Sequence, residues 1–204
     1  LWMAGMTTTI NWLDGVDGLA TGVAAIAVLV FFIHMVRTGQ QSVALLPLAL
    51  LGATLGFLPH NWTPARVFLG SAGAYFLGFA VGGLSLIGGA RAATALLVLG
   101  IPILDVAWQI LDRMRHGRSP AVGDRGHLHF RLLDRGMPQA HIVLVYYGLS
   151  AILGGLALLI PSRLYKLFAL LILGALVGLC LALLTRAGDR RRDTDSAQDA
   201  PSRE

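Results

Sequence analysis

No Asp, Glu, Lys or Arg falls between Asp17 and Arg37, between Arg37 and Arg66, between Arg66 and Arg91, or from Gly136 through Ser162. Uncharged apolar runs of this kind are long enough to cross the hydrocarbon of a bilayer, which takes about 20 helical residues. Only 13% of the chain is charged and 55% is apolar, whereas a soluble domain carries roughly 25% charged residues. The sequence therefore predicts an all-α, polytopic helical membrane protein. Six full transmembrane helices are expected, near 19–36, 43–58, 72–90, 92–111, 142–160 and 164–185, with residues 1–12 as the end of another. Residues 1–185 make the membrane domain, and 186–204 read as a disordered polar tail with no apolar periodicity. The opening Leu1-Trp2-Met3-Ala4-Gly5-Met6 has no basic segment ahead of it and is no signal peptide. It reads as the continuation of a helix, so the chain is expected to be N-terminally truncated. The lone Cys180 excludes a disulfide framework. Gly78 and Gly82 form a GxxxG, which in a chain with 25 Gly is expected from chance spacing.

Alternating the connections across the bilayer puts twelve of the sixteen basic residues on one side, with Arg37, Arg91, Arg163 and Lys166 on the other. The positive-inside bias makes the richer side cytoplasmic. That side also holds every acid except Asp105, which falls within an expected span. The net charge of +5 is explained by orientation in the membrane, and no nucleic-acid partner is expected.

Three cytoplasmic stretches carry the chemistry. The first is Asn11-Trp12-Leu13-Asp14-Gly15-Val16-Asp17-Gly18-Leu19. Carboxylates three apart share a helix face, and at a membrane boundary they need a partner. A divalent cation such as Mg²⁺, bound by one or two carboxylates with water and phosphate completing its shell, is one solution. A plain Asp-Gly turn between helices is the other. The second stretch runs from Pro59 to Gly73. Its Gly70-Ser71-x-Gly73 is placed to cap a helix or to offer backbone N–H groups to a phosphate. The third runs from Arg113 to Gly136 and brings Arg118, Arg125, His127 and His129 into one loop. Guanidinium and imidazole groups suit a pyrophosphate or a lipid phosphate. For Arg113, Arg115 and Arg118 a basic patch facing anionic lipid is the competing reading. A zinc pair at His127 and His129 has no nearby Cys to support it. His34 and His141, near helix ends, read as interfacial residues.

Together these stretches resemble the polyprenyl-phosphate N-acetylhexosamine-1-phosphate transferase family. The resemblance is carried by Asn11-x-x-Asp14-Gly15-x-Asp17-Gly18-Leu19-Ala20, by Asn61-x-x-Pro64-Ala65-x-x-Phe68-x-Gly70-x-x-Gly73, and by the ordered run Pro102-Ile103-Leu104-Asp105, Gly117-Arg118-Ser119-Pro120, Asp124-Arg125-Gly126-His127-Leu128-His129. It extends to about residue 160 and is nearer the branch using UDP-N-acetylglucosamine than the peptidoglycan branch. The resemblance implies transfer of a sugar 1-phosphate from a UDP-N-acetylhexosamine to polyprenyl phosphate, with release of UMP, at the cytoplasmic face of a bacterial plasma membrane. The product would begin a cell-envelope polysaccharide. It implies Mg²⁺ (Mn²⁺ as a substitute) and a homodimer. By the same resemblance Asp14 and Asp17 are catalytic, Asp17 and Ser71 meet the metal, and Asn11, Asn61, Arg118, Arg125, His127 and His129 hold substrate and its phosphates.

The chain departs from the pattern at four points. Ser71 stands where many members have a metal-binding Asp, Thr8 where Asn is common, and Phe130 where a third His is common. The adjacent Asp pair of an earlier loop would lie upstream of Leu1, so the chain alone is expected to be inactive. These departures motivate an alternative, a catalytically degenerate membrane scaffold that binds lipid or nucleotide. Asp105 and the intramembrane glycines motivate a third, a transporter.

Overall fold

A computed structural model describes residues 1–87, 92–115, 117, 127–160, 162, 164–176 and 178. The order is α1 (Trp2–Leu13), α2 (Leu19–Arg37), α3 (Gln41–Asn61), α4 (Gly70–Leu86), α5 (Ala92–Val98), α6 (Gly100–Arg115), α7 (Leu128–Asp134), α8 (Gln139–Leu159) and α9 (Leu164–Leu176). The expected tail at 186–204 lies outside the described residues.

Helix α2 is apolar on every side, and protein covers most of it. Leu19, Val23, Ala27, Val28, Phe31 and Met35 are all buried, with α3, α4 and α8 packed around them. Helix α3 is also apolar but turns one face inward, Ala44, Pro47, Leu51, Thr54 and Asn61 at helical spacing. Its Leu45, Leu46, Leu48 and Leu55 are exposed. Such a surface is stable against lipid and not against water. The α8 residues Leu144, Ile152 and Leu159 continue this belt.

Among the described residues α2, α3 and α8 are long and apolar enough to cross a membrane, with mean hydropathies of 2.4, 1.9 and 2.2. The stretch expected as one span over 92–111 is broken into two helices, α5 and α6, bent by 82° at Leu99, which together are long and apolar enough to cross. Pro102 supplies the reason: it cannot donate to the Val98 carbonyl, and its ring crowds that oxygen, so the ladder breaks there. The apolar helices α4 and α9 are shorter in their described extents.

The glycine pair also corrects expectation. Gly78 and Gly82 are the surface on which α1 lies. A Cβ at Gly78 would stand 2.6 Å from Thr7 Cα and 2.9 Å from the Met6 carbonyl oxygen, and one at Gly82 would stand 3.1 Å from Met6 Cβ. Trp2 Nε1 fixes the register, donating to Gly82 O at 3.2 Å and to Ser85 Oγ at 2.9 Å. Spacing that chance explains in the sequence is a close helix contact in the fold.

Candidate functional site

The α1–α2 connection anchors the site. Helix α1 ends at Leu13, and the chain turns through Asp14 to Gly18, whose φ of 77° suits only a glycine without strain. Asp14 and Asp17 therefore lie in a turn and not on the helix face that their spacing suggested. The turn still presents both carboxylates to one cleft of about 450 Å³, lined by Asn11, Asp14, Asp17, Asn61, Phe68 and Ser71 among others.

The second stretch closes against this turn. Ala65 N–H donates to Asp17 Oδ2 at 3.0 Å. The Gly70 backbone N–H, at the start of α4, meets the Asp14 carboxyl. Asn61 is buried, with its amide held at both ends: Oδ1 accepts from Thr21 Oγ1 at 2.8 Å, and Nδ2 donates to the Val67 carbonyl at 3.0 Å. It builds the cleft wall and holds the 61–67 loop in shape. Ser71 is exposed at the same cleft, and Asn11 is half-buried there.

Electrostatics in the cleft favour a cation. Asp14 is pushed up to about 6, by burial first and by the neighbouring Asp17 charge second, while the Gly70 N–H works the other way. Two carboxylates in a half-buried cleft repel, and a positive partner between them removes that cost. Among the described residues no group of three or more His, Cys, Asp or Glu could hold a metal ion. The donors present, two carboxylates and the Ser71 hydroxyl, fit a hard cation that keeps water and phosphate as its other ligands.

The third stretch lies over the first. A Cβ on Gly15 would stand 2.9 Å from His129 Nε2 and 2.5 Å from Phe130 Cζ, so the glycine permits the contact. The rings of His127 and His129 stack 5.5 Å apart at 8°, and Trp12 lies 5.3 Å from His127. His127 Nδ1 is 2.9 Å from Asp105 Oδ2, and Leu128 N–H donates to Asp105 Oδ1 at 2.9 Å. His129 is buried with neither ring nitrogen bonded among the described residues, and burial lowers its pKa to about 4. Arg113 is buried with its guanidinium 5.2 Å above the Trp12 ring, a cation–π contact and not the lipid-facing position considered for it. Arg118 and Arg125 lie outside the described residues.

Comparison with known proteins gives the family. The family model for glycosyl transferase family 4 matches residues 1–89, which hold the Asp14–Gly18 turn and the Asn61–Ser71 loop. A protein of Bacillus subtilis named "probable undecaprenyl-phosphate N-acetylglucosaminyl 1-phosphate transferase" is 33% identical over 79% of this chain and 47% of its own length. The chain belongs to glycosyl transferase family 4. A decaprenyl-phosphate N-acetylglucosaminephosphotransferase of Mycolicibacterium smegmatis is 34% identical over 88% of this chain and 51% of its own. A phospho-N-acetylmuramoyl-pentapeptide-transferase of Moorella thermoacetica is 36% identical over 78% and 51%. The chain spans about half the length of the curated relatives it matches.

Within this family 4 chain, the residues to which sequence reading gave no role beside the cleft are Trp12, Asp105 and Tyr147. Asp105 had a signal, since a carboxylate inside an apolar run needs a partner. That partner is His127, so Asp105 is accounted for without a transport path. Tyr147 had none: its hydroxyl donates to the Gly18 carbonyl at 2.6 Å across 129 residues.

Proposed function

We propose that this chain carries the site of a transferase that moves N-acetylglucosamine 1-phosphate, or a related N-acetylhexosamine 1-phosphate, from a UDP-sugar to polyprenyl phosphate and releases UMP. The observation that carries this reading is the single cleft in which Asp14, Asp17, Asn11 and Ser71 converge at the ends of apolar helices. The motif order and the names of the relatives support it. The site faces the cytoplasm by the charge bias of the loops, where a nucleotide sugar is available, and the exposed apolar faces of α3 and α4 let a lipid phosphate arrive from the bilayer.

Phosphoryl transfer asks for positioning and charge neutralisation more than for covalent machinery. An oxygen of the lipid phosphate attacks the phosphorus that bears the sugar, the bond from that phosphorus to the UMP oxygen breaks, and UMP leaves with the electron pair. Asp14 and Asp17, with Ser71 beside them, would hold Mg²⁺, whose charge offsets that of the diphosphate when it is bound. Ala65 and Gly70 orient the two carboxylates through their amides. Asn61 keeps the wall of the cleft in shape, and Asn11 offers an amide to the substrate. His127, His129, Arg118 and Arg125 belong to the loop that meets the phosphates, and Phe130 packs that loop onto Gly15.

A second reading has one observation in its favour: the cleft offers a hydroxyl at Ser71 where a third acid would bind a cation more tightly. On that reading the protein binds lipid or nucleotide without turnover. One experiment separates the two. The full-length protein in detergent with undecaprenyl phosphate is given UDP-N-acetylglucosamine and labelled UMP, with and without Mg²⁺. Mg²⁺-dependent entry of label into UDP-N-acetylglucosamine supports the transferase. Bound lipid with no exchange, restored by Ser71→Asp, supports the binding protein.

A further inference from the structure

Asp105 sits on α6, 22 residues before the histidine it meets, and both are buried, Asp105 at 3% exposure and His127 at 4%. Its two oxygens have separate tasks. Oδ1 accepts the Leu128 N–H, the first backbone donor of α7, at 2.9 Å, and Oδ2 faces His127 Nδ1 at 2.9 Å. The local residue at that helix start makes no side-chain cap, so the remote carboxylate fixes where α7 begins. With Oδ1 engaged by an N–H, the carboxylate has only an acceptor left for the imidazole, and Nδ1 must carry the proton. The bond at one ring nitrogen sets the state of the other. Nε2 makes no hydrogen bond among the described residues and is the nitrogen left for a ligand.

We propose that Asp105 is a positioning residue that holds His127 in the Nδ1–H form, so that a second proton at Nε2 gives an imidazolium between the carboxylate and a substrate phosphate. The transferase reading supplies the phosphate; the tautomer rests on the geometry alone. A charge-assisted bond from Nε2 is roughly twice as strong as one from a neutral ring. Asp105 thus acts on substrate affinity through His127, without touching substrate.

Asp105→Asn separates the cap from the tautomer. Its single amide oxygen must take the Leu128 N–H, which turns the amide NH₂ toward His127 and makes Nδ1 an acceptor, leaving the proton on Nε2. Asn caps helices as well as Asp does, so the fold is kept. Histidine ¹⁵N spectra of the full-length protein in detergent, with the His127 signal identified by its loss in His127→Gln, read the proton directly. The expected result is Nδ1 protonated in the native protein and unprotonated in Asp105→Asn, with KM for UDP-N-acetylglucosamine raised about tenfold and kcat within twofold. Asp105→Ala, which removes the cap as well, lowers thermal stability and serves as the structural control. Identical His127 spectra in the native protein and Asp105→Asn overturn the proposal, as does an unchanged KM in an active protein. Absence of turnover in the native protein instead overturns the transferase reading, and the spectra still decide the role of Asp105.

Discussion

His129 places Nε2 2.9 Å from the position that a Cβ of Gly15 would occupy, with Phe130 Cζ closer still at 2.5 Å. The loop bearing the histidines therefore rests on the turn bearing the carboxylates, and a glycine is what lets it. Gly15→Ala is expected to force the two apart, since the ring of Phe130 is held against His129 at a centroid distance of 4.4 Å. UMP exchange should fall at least tenfold while α2, α3 and α8 stay folded. Overpacking of this kind costs roughly 1–3 kcal/mol. Phe130→Ala in the same protein makes room for the new methyl group, so the double variant should recover exchange beyond Gly15→Ala alone. No recovery would place the loss elsewhere.

The α1–α4 seam gives a sharper steric test. At Gly78 the atoms that a new methyl group would meet are backbone, Thr7 Cα at 2.6 Å and Met6 O at 2.9 Å, which cannot rotate away. Gly78→Ala should lower the melting temperature in detergent and, by shifting α1, weaken the Asp14–Asp17 turn at its end. Gly52→Ala is the matched control, because nothing lies within 4 Å of its Cβ position and alanine favours a helix over glycine by about 1 kcal/mol. Equal melting temperatures for the two variants would dismiss the seam.

How much of this was legible in the sequence varies residue by residue. The long apolar helices α2, α3 and α8 were readable because apolar length is a one-dimensional property. The break at Leu99 was also written, in Pro102, but a proline inside a membrane span is tolerated often enough that its effect depends on packing. The pair Asp14 and Asp17 could be seen but not its geometry, since a helix and an Asp-Gly turn both bring residues three apart together. Gly78 and Gly82 had the right spacing and no way to stand out among 25 glycines. Asp105 with His127 and Tyr147 with Gly18 are side-chain contacts across long separations, which local pattern does not carry.

The two carboxylates make metal dependence measurable without turnover. Mg²⁺ should raise the melting temperature of the full-length protein, because it binds the folded cleft and not the unfolded chain. Asp17→Asn should abolish the increase. It should also raise the stability of the metal-free protein slightly, since it removes the repulsion that helps push Asp14 up to about 6. An increase that survives in both Asp17→Asn and Asp14→Asn would move the cation elsewhere.

Tyr147 ties α8 to the turn, with its hydroxyl donating to Gly18 O at 2.6 Å and its ring 6.1 Å from Trp62. Tyr147→Phe keeps the ring and removes the bond, leaving a part-buried carbonyl without its donor. A loss of about 1 kcal/mol is expected. Exchange should fall by a few-fold, because Gly18 follows directly on Asp17. Unchanged exchange with the full stability loss would make Tyr147 a strut and nothing more.

His129 gives the pH dependence, and its sign follows from burial. The unfolded chain takes up a proton at the ordinary value of 6.5, whereas the folded protein does so only at about 4, because burial disfavours the charged ring. Between those values the unfolded state binds more protons, so stability falls as pH drops from 6.5 toward 4 and levels off below. The full effect is roughly 3 kcal/mol, at about 1.4 kcal/mol per unit. His129→Gln cannot titrate, so its melting temperature should lose this part of the acid dependence, measured by denaturation in detergent from pH 7.5 to pH 4. Matching slopes for the native protein and the variant would mean that the ring is reached by protons in the fold, and the packing of His129 against Gly15 and Tyr146 would then have to open on the timescale of the measurement.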